Sequence, residues 1–238
     1  MVNDTLQQTV QTLIQSGTTS NPVLNRLISD YSNYHLGLVI VGGLFLFGLV
    51  WLNLFLWERF KKASKANTRK WTFEHKTYFH LGVFSVLISL LMAFVVIVNT
   101  STVLEARQEF SLAIATLKPP QVSTKRQERY QSFNTWLQSS SLQMPSLIQN
   151  KIDNRLAWQR PKAIICSILL VGFMIFSARV WQTLIRRSHV QNAKWNLKER
   201  ALFVSGLATS LSCPLLMLMV VTNAEASFAP IVFTLAFG

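Results

Sequence analysis

Acidic residues are scarce in this chain: ten Asp and Glu stand against 23 Lys and Arg, and charge of either sign makes up only 14% of 238 residues. A soluble domain carries about 25%. Cysteine is scarcer still. Cys166 and Cys213 both lie in apolar segments, and no CxxC pair or Cys/His spacing occurs. That pattern offers neither a zinc site nor a disulfide framework. On the topology developed below the two cysteines fall at different depths, so a bridge between them is not expected. Gly-rich phosphate loops, a Ser elbow and zincin patterns are absent too, so the common phosphate, acyl-transfer and metallopeptidase chemistries have no carrier. The N-terminal stretch to Tyr34 carries only Asp4, Arg26 and Asp30. It has no basic region followed by an apolar core, and a cleavable signal peptide is not expected. Lipidation motifs are likewise not found.

What the chain has is apolar length. Half of it is hydrophobic. Leu36–Trp57 runs without a charge and with one strongly polar residue, Asn53. A hydrocarbon core of about 30 Å takes about 20 helical residues, so 36–57 reads as a transmembrane helix. The same argument gives 79–98, 163–183 and 201–221. The net charge of +13 therefore flanks membrane spans and does not point to nucleic acid. Loop 58–78 holds seven Lys and Arg, loop 184–200 holds five, and the N-terminal segment holds one. The positive-inside rule puts both loops in the cytoplasm and both termini outside. Trp51, Trp57, Trp71, Trp181 and Trp195 gather towards the cytoplasmic boundary as an aromatic belt.

The chain repeats itself. Moved by 124 positions, Lys70-Trp71 falls on Lys194-Trp195, Phe79 on Phe203, Gly82 on Gly206 and Asn99 on Asn223. Trp57 falls on Trp181 and Gly48 on Gly172. Such self-similarity predicts a tandem duplication. Repeat 1 covers 1–123 and repeat 2 covers 124–238. Each contributes two amphipathic outer helices, one span inward, a basic Lys-Trp elbow and one span outward. Two repeats in one orientation are related by an axis along the membrane normal. The outer helices are expected over 5–16 with a stop at Gly17, from the cap Asn21-Pro22 through Tyr31, over 124–138, and over 146–157. Pro119-Pro120 ends any extension of the second span.

The predicted fold is an all-α integral membrane protein with four transmembrane helices, built from a duplicated two-helix hairpin. No ionisable residue lies near the middle of a span, where ion paths and proton relays usually keep one. Pro214 predicts a kink in the fourth span. The histidines, His35, His75, His80 and His189, do not face one another in pairs at one depth, so no haem or metal is expected. Glu74-His75 beside Glu199 has no nucleophile at motif spacing. The expectation is a non-catalytic structural or accessory subunit of a larger assembly in a bacterial inner membrane, without cofactor or metal. Its partners are membrane lipids and other membrane subunits or further copies of itself. Tyr130, Phe133, Trp136 and Leu137 on one outer face are the expected partner surface. Phe228, Ile231 and Phe233 of the apolar tail 228–238 join them. Gly82, Ser85, Ser89 and their counterparts Gly206, Thr209 and Cys213 form small-residue stripes that suit helix packing. Gly42, Gly43 and Gly48 offer a similar face. The alternative is a channel or transporter subunit with an oligomeric pore lined by Ser85, Ser89, Thr209 and Ser212.

Overall fold

A computed structural model describes residues 6–15, 21–63, 72–116, 124–190 and 196–237. Gly17, Lys65, Pro119-Pro120 and both Lys-Trp elbows (Lys70-Trp71 and Lys194-Trp195) lie outside the described residues. So do the side chains of Lys125, Arg126 and His189. Every regular element described is helical: α1 (Leu6–Gln15), α2 (Pro22–Lys62), α3 (Phe73–Leu104), α4 (Ala106–Thr116), α5 (Thr124–Ser139), α6 (Ser146–Val190), α7 (Leu197–Phe228) and α8 (Pro230–Phe237). Four of them, α2, α3, α6 and α7, are long and apolar enough to cross a membrane.

Two expected outer helices are not separate elements. The helix that starts at Pro22 runs straight into the first span, and the one that starts at Ser146 runs straight into the third. At about 1.5 Å per residue the 41 residues of α2 extend roughly 60 Å, twice a hydrocarbon core. Between Tyr31 and Leu36 nothing breaks a helix. Pro161 lies inside α6 without ending it. The start of α2 is as the sequence predicts: the Asn21 carboxamide oxygen accepts from the N–H groups of Val23 and Leu24, each at 3.0 Å. Its amide nitrogen donates to the Leu137 carbonyl at 2.9 Å, which ties this cap to α5. The starts of α3 and α7 are capped as well. Thr72 Oγ accepts from His75 N–H. Asn196 and Glu199 cap reciprocally, at 3.1 and 2.8 Å. An N-x-x-E pattern was there to be read.

The chain divides into two compact units. The bundle unit is Met1–Val39, Ile97–Pro161 and Thr222–Gly238; the span unit is Ile40–Val96 and Lys162–Val221. Each therefore takes residues from both 1–123 and 124–238. The bundle unit closes over one hydrophobic core made by Leu6 and Val10 of α1, Leu24 and Leu27 of α2, and Phe110 and Ile114 of α4. Phe133, Trp136 and Leu137 of α5, Ile148 and Ile152 of α6, and Ile231 and Leu235 of α8 complete it. The span unit has a smaller core around Met92, Cys166, Leu170, Met217 and Val220. Leu56, Val180, Leu184 and Ile185 are buried as well, while many other apolar side chains of this unit, such as Leu44, Phe47, Leu90 and Ile168, face outward.

This core corrects the expected partner surface. Trp136 is 2% exposed, and Phe133, Leu137 and Ile231 are equally enclosed. Trp136 also donates its indole N–H to the Ser141 carbonyl at 2.9 Å. Tyr130 packs on the same core. Side chains committed to the chain's own interior offer nothing to a second protein. Part of the tail is spent in the same way, because 230–237 folds as α8 and inserts Ile231 and Leu235 into this core, while Phe228 stays 42% exposed. Phe233 lies under the Arg155 guanidinium, 5.0 Å from ring to cation. Phe228 packs over Gly37, where a Cβ would come within 2.7 Å of its ring. That contact explains why glycine suits this point of α2.

Candidate functional site

The polar groups of the bundle unit gather where α2, α6, α7 and α8 meet. An open cleft of about 380 Å³ lies between the first half of α2, α6 and the start of α8. Arg26, Ser29, Asp30 and Asn33 line it from α2, and Gln149, Asp153 and Leu156 line it from α6. Asp30, only 8% exposed, sits at the side nearest α8. Its carboxylate accepts from the Val232 N–H at 2.7 Å, so a side chain of α2 caps a helix two hundred residues later. Burial pushes the Asp30 carboxyl up to about 6, against the opposing pull of the α8 amides and of Arg26. Arg26 itself turns away, over the Trp136 ring at 5.8 Å. Arg155 holds α8 from the other side, donating to the Phe233 carbonyl at 2.8 Å.

A second group stands beside it. Glu225, near the end of α7, is 6% exposed and hydrogen-bonds the Tyr34 hydroxyl of α2. Burial pushes its carboxyl up to about 7. His35 is flanked by the rings of Tyr31 and Tyr34, at 4.6 and 4.9 Å. Its Nδ1 lies 2.6 Å from the Asn99 oxygen of α3, and its Nε2 is buried with no partner among the described residues. Burial lowers the His35 pKa. These residues, 34–35, 99 and 225, belong to the bundle unit and flank the stretches 36–57, 79–98 and 201–221 that the sequence reads as spans. The arrangement can hold and exchange a proton at Glu225. The sequence reading missed it, although a lone Glu225 in an otherwise apolar stretch, with His35 and Asn99 at span ends, was a signal.

In the span unit the small-residue stripes separate into different roles. Ser89 is buried and accepts from the Asn53 amide at 2.9 Å while donating to the Ser85 carbonyl at 2.8 Å. Asn53 Oδ1 and Ser85 Oγ are buried without a partner among the described residues. Ser210 meets Ser177 at 2.9 Å and the Trp181 indole at 3.0 Å. Thr209 and Ser212 bond only their own helix backbone. Gly206 is a true close approach, with Val180 and Trp181 3.0 and 3.2 Å from a Cβ built there. Gly82 is not: open space surrounds it, and the same holds for Gly43 and Gly48, whereas Gly42 does face Val96 at 3.2 Å. Cys213 packs on the same small core as Cys166, and both thiols are free.

Glu199 and His75 both take part in helix starts, Glu199 with Asn196 and His75 with Thr72. Among the described residues no group of three or more His, Cys, Asp or Glu could hold a metal ion. Comparison with known proteins finds no matching family model, no similar curated protein and no similar solved structure.

Proposed function

We propose that the chain is a non-catalytic accessory subunit of a membrane assembly, spanning a bacterial-type inner membrane four times with both termini outside. The bundle unit is then the outer platform and the Lys-Trp elbows are cytoplasmic. Positive-inside counting supports this orientation. A tandem duplication accounts for the element bounds: α3 and α7 begin and end 124 residues apart, α2 and α6 begin at that interval, and so do α4 and α8. Asn53 and Ser177, also 124 apart, each hydrogen-bond across their own hairpin.

The observation that carries the accessory role is the distal turn between α5 and α6. With Trp136 and its neighbours spent on the core, Leu142 remains 71% exposed on that turn, and Leu147 follows on the first turn of α6. Arg26 reaches the Leu142 carbonyl at 3.4 Å and Met144 lines the cleft, so turn and cleft form one surface. Exposed leucines beside a polar cleft suit a partner's surface. The pore reading has weaker support, because Ser89 and Ser210 are hydrogen-bonded within the chain and Thr209 and Ser212 bond their own helix.

The test is purification in mild detergent of the wild type and of Leu142→Asp/Leu147→Asp. The expected result is a companion chain or oligomer with the wild type, lost in the variant while helical content stays unchanged. A wild type without companions, or a variant that keeps them all, overturns the proposal.

A further inference from the structure

One end of the span unit concentrates positive charge, part of it where the helix dipoles do not favour it. The chain passes between the two units at residues 39–40, 96–97, 161–162 and 221–222, so the opposite ends of α2, α3, α6 and α7 share the other side of the span unit. There α2 finishes with Arg59, Lys61 and Lys62, and α6 with Arg186 and Arg187. Cations suit the negative end of a helix dipole. But α3 and α7 begin at this end, and Lys76, Lys198 and Arg200 stand in or beside their first turns, where positive charge opposes the dipole. All eight side chains are exposed.

The acids described at this end, Glu58, Glu74 and Glu199, are three against these eight cations. Glu58 is bonded to Lys62. Glu199 is turned inward as a cap for Asn196. Trp57 is exposed one turn before the basic end of α2, and the Arg59 guanidinium lies 5.2 Å over the Phe55 ring. Aromatic rings below and cations above are the arrangement of a headgroup region, with long basic stems lying along apolar surface. Arginine pairs offer forked donors to phosphate oxygens, and lysines add point charge.

We propose that this end is a docking surface for anionic phospholipid headgroups. The proposal rests on the reading of α2, α3, α6 and α7 as membrane spans. A zwitterionic lipid presents the same phosphate, but its amine cancels much of the attraction, so the surface selects lipids of net negative charge.

The test uses the full chain in bilayers of phosphatidylcholine containing spin-labelled phosphatidylglycerol or spin-labelled phosphatidylcholine. The readout is the ratio of the two lipids immobilised at the protein. The expected result is a several-fold preference for phosphatidylglycerol that falls at high salt. Removing cations with K61Q/K62Q/R186Q/R187Q lowers the ratio towards one, since each basic side chain near an anionic surface contributes to the attraction. Changing a cation of the bundle unit's stretch of α6, K151Q, leaves it in place. Millimolar inorganic phosphate does not compete. A wild-type ratio near one, a ratio unmoved by the four substitutions, or competition by free phosphate each overturns the proposal. Absence of any immobilised lipid overturns the spanning reading and this proposal with it.

Discussion

Replacing Trp136 with alanine will unfold much of the bundle unit and not merely weaken a partner's grip. Trp136 is among the largest fully buried side chains, packed beside Phe133 at 6.3 Å between ring centres and bonded to the Ser141 carbonyl. Truncation removes its buried area, leaves a cavity and orphans the Ser141 acceptor. A large-to-small change of this kind costs about 3–5 kcal/mol. For a unit of this size each kcal/mol moves the melting temperature by roughly 2–8 °C, so thermal unfolding in detergent should shift down by about 10 °C or more. The four spans do not depend on that core, and membrane insertion should persist. A variant that melts with the wild type would show that α5 does not seal the bundle.

The second large effect is a rise in stability as pH falls. Asp30 and Glu225 have folded-state values of about 6 and about 7, above the ordinary 3.8 and 4.5. The folded state thus binds their protons more tightly than the unfolded state does. The stability they contribute is fully present below about pH 4 and is lost as pH rises through their folded values. Asp30 faces Arg26 on its own helix, the amides of α8, and Asp153 of α6 across the cleft. Glu225 faces Tyr34. Each unit of displacement is worth about 1.4 kcal/mol. Allowing for water reaching the Glu225 side, the pair amounts to roughly 2–4 kcal/mol between about pH 8 and pH 5. His35 acts the other way, because its lowered value makes the folded state resist protonation below its ordinary 6.5. The rise in melting temperature should therefore set in below about pH 8 and continue through the folded values of about 7 and 6, with His35 offsetting part of it below its ordinary 6.5. Asp30→Asn/Glu225→Gln should flatten the profile. A wild-type melting temperature that falls over that interval would reverse the sign and contradict the burial of these groups.

The spans were legible because hydropathy and length are local properties, and Leu36–Trp57 needs no knowledge of its neighbours. The Asn21-Pro22 start was legible because a cap acts within three residues. What covers an apolar face is not local. The stripe of Tyr130, Phe133, Trp136 and Leu137 is the same string of residues whether it meets a partner or α1, α2 and α6 of its own chain. The tail 228–238 looked too short to span, and so it is; its use as α8 depends on Asp30 and Arg155, far away in sequence. The outer helix 146–157 and the span 163–183 were read as separate elements, yet α6 runs through both, Pro161 included. The roles of Glu225 and His35 required knowing that Tyr34 and Asn99 stand beside them.

The claim on which the rest depends is that the chain crosses a membrane with the bundle unit on one side and the basic ends of the spans on the other. In a cysteine-free background, single cysteines at Ser140, on the turn after α5, and at Lys194, in the second basic loop, should be exposed to an impermeant thiol reagent in intact cells. The account predicts labelling at 140 in intact cells and at 194 only after the membrane is opened. Labelling at 194 in intact cells, with or without labelling at 140, would contradict it.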